Sequence, residues 1–151
     1  MKRFLPDVNA LLALLDPMHV HHEAAHQWYA AKSPLRLLTC SHLENGVIQV
    51  ASQPKYPNCL GTSGKVRKAL QDFVQKAGAE SCEHDISLLD DEILLIPGLL
   101  TPSRVADLYL LALAACHDAR LATFDRRIPA EAVSGGVDAL EVIPVPAETG
   151  G

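Results

Sequence analysis

No apolar run in this chain approaches the ~20 residues that a bilayer-spanning helix requires. The longest covers residues 108–116, which excludes a transmembrane helix. Met1-Lys2-Arg3-Phe4-Leu5 has the basic start of a secretory leader, but Asp7 and Asn9 break the apolar stretch that should follow, so secretion is not expected. Cysteine is scattered: positions 40, 59, 82 and 116 contain no Cys-x-x-Cys pair, so neither a disulfide framework nor a thiolate zinc site is spelled out. Reduced thiols in a cytoplasmic protein are the expectation. An excess of positive charge is missing as well. The 13 Lys+Arg against 18 Asp+Glu leave a net charge of −5, which argues against a broad DNA footprint while allowing a local basic rim that contacts RNA. There is no internal repeat, and 48% apolar with 21% charged residues excludes disorder and fibrous architecture.

What remains is a chain of 151 residues, the size of one compact domain. Its expected extent is 1–146, with 147–151 as a short tail. Residues 2–6 predict a strand that runs into a helix over 10–15, which Asp16-Pro17 stops. A second helix is expected over 22–32, a buried strand over 35–39, and a helix opening at Ser41 and ending before Gln53-Pro54. Residues 64–76 are amphipathic and Gly78 can close that helix. A weaker strand is expected over 82–86. Thr101-Pro102 predicts an N-cap followed by a helix running to about His117, and residues 120–124 and 140–145 read as two more strands. Strands alternating with helices predict an α/β fold with a mainly parallel sheet. Because 108–115 is apolar on every side, that helix should be enclosed by other helices or by a second copy of the chain, and a homodimer is expected.

Four carboxylates stand out. Asp7 and Asp125 each follow a predicted strand, and the carboxyl ends of parallel strands are where ligands bind in open α/β sheets. Each has a plain structural alternative: Asp7 caps the next helix, and Asp125 turns the chain with Arg126. Glu44 ends the string Ser41-His42-Leu43-Glu44, an S-x-x-E capping box in which the glutamate reaches back to the N-cap amide. Asp107 shares a helix face with Leu110, Leu111 and Ala114, so its charge points where those groups point. Pairing with Arg104 one turn earlier is worth only ~0.2–0.5 kcal/mol on an exposed face, weak compensation for a half-buried charge. If the four acids converge, their repulsion requires a cation, and oxygen-only donors select Mg²⁺ or Mn²⁺. That chemistry suits phosphodiester cleavage. Arg104, Arg126 and Arg127 are close enough in sequence to the acids to position RNA phosphates.

The segments Phe4-Leu5-Pro6-Asp7-Val8-Asn9-Ala10-Leu11-Leu12, the central Glu44 helix, Ala106-Asp107-Leu108-Tyr109-Leu110-Leu111-Ala112-Leu113-Ala114 and Ala122-Thr123-Phe124-Asp125-Arg126 resemble the successive motifs of PIN domains. Among these, the resemblance is to VapC-type toxins, the ribonuclease halves of bacterial toxin–antitoxin pairs. Ala106 stands where the family often has Thr or Ser. The resemblance implies a PIN-like three-layer fold with a central sheet flanked by helices. It implies a metal-dependent endoribonuclease whose metal-binding acids are Asp7, Glu44, Asp107 and Asp125, with Asn9 and Thr123 in support. It further implies Mg²⁺ or Mn²⁺, a homodimer, and a small cognate antitoxin that covers the active site. The alternative on the same fold is a catalytically idle module that binds RNA or protein.

Three other signals are weaker. Gly61-Thr62-Ser63-Gly64-Lys65 looks like part of a P-loop but puts Val66 where Mg²⁺ needs Ser or Thr. His22 and His26 have the i, i+4 spacing of a zinc pair within the cluster His19, His21, His22, His26, yet lack a His-Glu-x-x-His order. Lys65, Arg67 and Lys68 fit a solvated helix face.

Overall fold

The computed structural model describes residues 1–58 and 60–146; the tail expected at 147–151 lies outside the described residues. In chain order the elements are β1 (Lys2–Pro6), α1 (Val8–Leu15), α2 (His22–Lys32), β2 (Leu35–Thr39), α3 (Ser41–Ala51), α4 (Ser63–Ala77), β3 (Glu80–Ser81), α5 (Val105–Cys116), β4 (Arg120–Thr123) and β5 (Leu140–Val142). The strands form one sheet in the order β3-β2-β1-β4-β5, and every pairing between them is parallel.

Side-chain alternation along the strands builds a core on each face of the sheet. Phe4, Leu37 and Ala122 join Trp28 of α2 in one core, while their neighbours Leu5, Leu38 and Leu121 join Leu43, Val47 and Leu111 in the other. The result is the expected three-layer α/β arrangement. From β1 the chain steps outward through β2 to β3, then crosses back to β4 on the far side of β1. The order reverses between β1 and β4, and the crevice at their carboxyl ends is where such sheets bind ligands.

The structure corrects several boundaries. The strand expected over 82–86 lies at Glu80–Ser81. After Cys82 donates to the Thr39 carbonyl at 2.8 Å, the chain turns toward α5, where His117 Nε2 meets the Glu83 carbonyl at 3.1 Å and Asp85 Oδ1 at 2.9 Å. The last strand stops at Val142 because Ile143 makes the final bond, to the Thr123 carbonyl at 2.7 Å, and Pro144 has no N–H to continue. Thr101 makes no side-chain cap; Pro102–Arg104 forms a 3₁₀ turn that leads into α5. The capping box at Ser41 does not form either, since Cys40 is the N-cap and Ser41 is already helical.

Leu108 and Leu110 to Ala114 of α5 are buried within this one chain, so the apolar helix does not itself require a second copy. The histidine pair also has a structural use. His22 Nδ1 and His26 Nε2 bond the Ala13 and Leu14 carbonyls at 2.7 and 2.9 Å, satisfying acceptors that the end of α1 leaves open. Thr62 caps α4, its Oγ1 accepting from the Lys65 amide at 3.3 Å, so the glycine-rich string before it is a helix entry.

Asp16, read in the sequence only as a helix stop, is 1% exposed. Its Oδ1 accepts the Met18 amide at 2.9 Å, and its Oδ2 accepts Tyr56 OH at 2.6 Å and Asn58 Nδ2 at 2.7 Å. Burial raises the pKa of this carboxyl, but the three donors outweigh it and hold the group below its ordinary range. Asp16→Ala should lower unfolding free energy by roughly 2–4 kcal/mol, because it removes a buried carboxylate that accepts three hydrogen bonds at once. Urea denaturation checks this, and a loss under about 1 kcal/mol would show that the Tyr56–Asn58 loop is not anchored there.

Candidate active site

Asp7 sits where β1 passes into α1. Its backbone is extended, as an N-cap requires, and Oδ1 accepts the Ala10 amide at 2.8 Å. The other oxygen, Oδ2, accepts the Thr123 hydroxyl at 2.6 Å. Thr123 ends β4, is fully buried, and its Oγ1 accepts the Asp125 amide at 3.0 Å. One hydroxyl thus ties the two strand ends together. Asp125 Oδ1 accepts the Arg127 amide at 2.8 Å, a turn of the kind its sequence position predicts. The capping and turn alternatives weighed for Asp7 and Asp125 are therefore both realised, and both residues still present carboxylates to one cleft.

That cleft, about 440 Å³, is lined by Asp7, Asn9, Asp107, Thr123, Phe124 and Asp125 among others. Asp107 reaches it from the first turn of α5. The acids therefore come from β1, α5 and β4, meeting at the switch point of the sheet. Arg104 stands beside them: its Nη1 lies 2.6 Å from Asp125 Oδ2 and 3.1 Å from Asp107 Oδ2. Among the described residues, no three carboxylate, imidazole or thiol groups close on a common point tightly enough to cage an ion as they stand. The charges nevertheless act on one another. Burial, reinforced by Asp107 and Asp125, pushes Asp7 up to about 6 even though Thr123 and Ala10 donate to it. Asp125 is held below its ordinary value by the Arg127 amide and by Arg104.

Glu44 lies elsewhere. It accepts the Thr39 hydroxyl at 2.8 Å and lines a neighbouring groove with Asn45, Ile48, Arg67 and Gln71 between α3 and α4. The structure brings together Asp7, Asp107, Asp125, Asn9 and Thr123, and leaves Glu44 in a separate groove. Arg126 and Arg127 are exposed beside Asp125.

Two positioning features were not visible in the sequence. His19 Nδ1 accepts the His21 amide at 3.0 Å, which puts the proton on Nε2, and Nε2 donates to Asn9 Oδ1 at 2.9 Å. This leaves the Asn9 amide nitrogen as the group available to the cleft. Phe124, having left β4, packs on the His21 ring with centroids 4.7 Å apart and forms part of the cleft wall. Nothing in the spacing of 9 and 19, or of 21 and 124, signals these contacts.

The Asp7 shift has a definite sign. With a folded pKa about 6 against 3.8, folding favours protonated Asp7; this contribution is complete below pH ~4 and lost as pH rises through ~6. The loss amounts to about 3 kcal/mol, and Asp7→Asn escapes it while forfeiting about 1 kcal/mol of hydrogen bonding to Thr123. In EDTA at pH 8 the variant should therefore be more stable by about 1–2 kcal/mol, an advantage gone by pH 4. Melting curves at the two pH values check this; a variant that melts lower at both would mean that Asp7 carries no electrostatic strain.

Comparison with known proteins agrees with this geometry. Residues 4–133 match the PIN domain family. The chain is 38% identical over 133 residues to Ribonuclease VapC44 of Mycobacterium tuberculosis, spanning 88% of this chain and 93% of that protein. It is 37% identical over 122 residues to Ribonuclease VapC38 of the same organism, spanning 80% and 84% respectively. Among solved structures, the crystal structure of VapBC2 from Rickettsia felis bound to a DNA fragment from their promoter contains a similar fold, with a TM-score of 0.60 at 14% identity over 94% of this chain and 99% of that one. Five parallel strands with acids at the β1–β4 switch point, a family match across most of the chain, and relatives aligned nearly end to end lead to one assignment: this chain belongs to the PIN domain family.

Proposed function

We propose that the chain is a divalent-metal-dependent endoribonuclease acting as the toxin of a VapBC-type toxin–antitoxin pair. The observation that carries this reading is the meeting of Asp7, Asp107 and Asp125 from three different elements on one open cleft. The donor set fits a hard divalent cation. It is all oxygen, and the upward shift of Asp7, caused first by burial and then by the nearby charges of Asp107 and Asp125, shows a carboxylate whose anionic form lacks a compensating cation. Asp7, Asp107 and Asp125 would hold Mg²⁺ or Mn²⁺, with Glu44, from the groove between α3 and α4, proposed as a fourth acid. Such a cation supplies Lewis acidity at the phosphoryl group and at water.

The remaining tasks fall to the chain itself. Thr123 orients Asp7 by donating to Oδ2 and orients Asp125 by accepting its amide. Asn9, turned by His19, offers N–H donors to a non-bridging phosphate oxygen. Arg126 and Arg127 supply positive charge at the rim, where an RNA backbone enters. The relatives' names support the ribonuclease activity, and a small antitoxin and a homodimer are proposed on the same family grounds.

RNA cleavage should vanish in EDTA and return with Mn²⁺. Asp107→Asn and Asp125→Asn should each lower kcat/KM at least about 100-fold. Cleavage of tRNA and structured RNA by purified protein checks this, and full activity in EDTA would overturn the metal-dependent reading. Glu44→Gln belongs in the same series: a comparable loss places it at the metal, and near-parent activity confines it to its bond with Thr39. Replacing Arg126 and Arg127 together with Gln should reduce the slope of log K against log salt by about 1.4, the value for two phosphate contacts on a single strand. An unchanged slope would show that RNA is held elsewhere.

A further inference from the structure

Arg104 contacts the cleft in an unusual way. A guanidinium that clamps a carboxylate normally offers two nitrogens to two oxygens of one partner. Here a single nitrogen, Nη1, is shared between Asp125 Oδ2 at 2.6 Å and Asp107 Oδ2 at 3.1 Å. The two acids belong to different elements, so this is the geometry of a bridging cation. Asp7 takes only neutral donors, Ala10 N–H and Thr123 OH. The Arg104 side chain is 21% exposed, and its backbone lies at the entry to α5, so the head group has solvent on one side into which it can swing.

We propose that Arg104 is a resident counter-cation of the acidic cleft, which bridges Asp107 and Asp125 until a divalent ion takes those oxygens from it. The inference rests on the metal-site reading given above. Two consequences follow from the geometry. Metal affinity includes the work of breaking two charge-assisted contacts, so half-occupancy requires a higher cation concentration than the acids alone would need. Once displaced, the guanidinium remains tethered at the mouth of the cleft, where an RNA phosphate is its natural next partner. Arg104 is on this account a positioning residue whose location reports whether metal is bound.

Calorimetric titration with Mn²⁺ at constant ionic strength tests this on the parent, Arg104→Met and Arg127→Gln. Arg127 is the control: its charge acts on Asp125, but its bond to that acid is made by the backbone amide. Arg104→Met should bind Mn²⁺ about tenfold more tightly than the parent, equivalent to about 1.4 kcal/mol, and Arg127→Gln less than about threefold more tightly. Mn²⁺ binding that is unchanged or weaker in Arg104→Met overturns the role of Arg104 and leaves the metal site standing. Equal tightening by both variants assigns the effect to charge alone and likewise overturns it. Absence of Mn²⁺ binding to the parent and to Arg104→Met overturns the metal reading, and the inference with it. Should Arg104→Met fail to fold, the parent suffices: the ¹⁵N guanidinium resonance of Arg104 should shift and exchange faster as Mg²⁺ saturates the protein. A resonance unmoved at saturating Mg²⁺ contradicts displacement.

Discussion

A buried hydrogen bond between the ends of two neighbouring strands organises the cleft. Asp7 Oδ2 and Thr123 Oγ1 are 2.6 Å apart, and each has further bonds that depend on its position. Asp7 also caps α1, and its amide donates to the Ala122 carbonyl at 3.0 Å. Thr123 also receives the Asp125 amide. From Asp125 the chain of contacts continues to Arg127 on one side and through Arg104 to Asp107 on the other. Capping, strand pairing and the arrangement of the acids thus share atoms. Fully satisfied networks of this kind rigidify a site, and partial loss exposes unpaired groups in low dielectric.

The same network holds charges that repel. Asp7 is 9% exposed and burial pushes its carboxyl up, with Asp107 and Asp125 adding to the effect. Asp125 is stabilised as an anion by the Arg127 amide and by Arg104. Two of the acids are therefore compensated from within the chain, while the deepest one is not. Arg104 thus supplies positive charge to Asp107 and Asp125, and Asp7 has only neutral donors. Tolerance of such strain is characteristic of functional positions, where stability is exchanged for a prepared site.

Much of this was legible in the sequence, for reasons that particular residues show. Strands β1 and β2 and helices α1 to α4 follow from apolar runs bounded by Pro17, Pro54 and Gly78, whose effects are local. Asp7, Asp107 and Asp125 stood out because position relative to a strand end or an apolar helix face is also local. What escaped was set by distant partners. The ends of β3 and β5 depend on His117 and on the Thr123 carbonyl. Glu44 looked like a cap because Ser41 looked like one; a shift of a single residue, to Cys40, redirects it to Thr39. Arg104 was expected to pair with Asp107 or to meet RNA, and its shorter contact, to Asp125 twenty-one residues on, has no signature in spacing. His19 and Asn9 illustrate the same limit.

The claim at the centre of this account is that Asp7, Asp107 and Asp125 share one divalent cation. An anomalous difference map from a crystal soaked in Mn²⁺ tests it most directly. The account predicts a peak in the cleft that carboxylate oxygens of all three residues share, in direct contact at about 2 Å or through an intervening water. A saturated crystal with no peak there, or with its only peak in the groove beside Glu44, would contradict it.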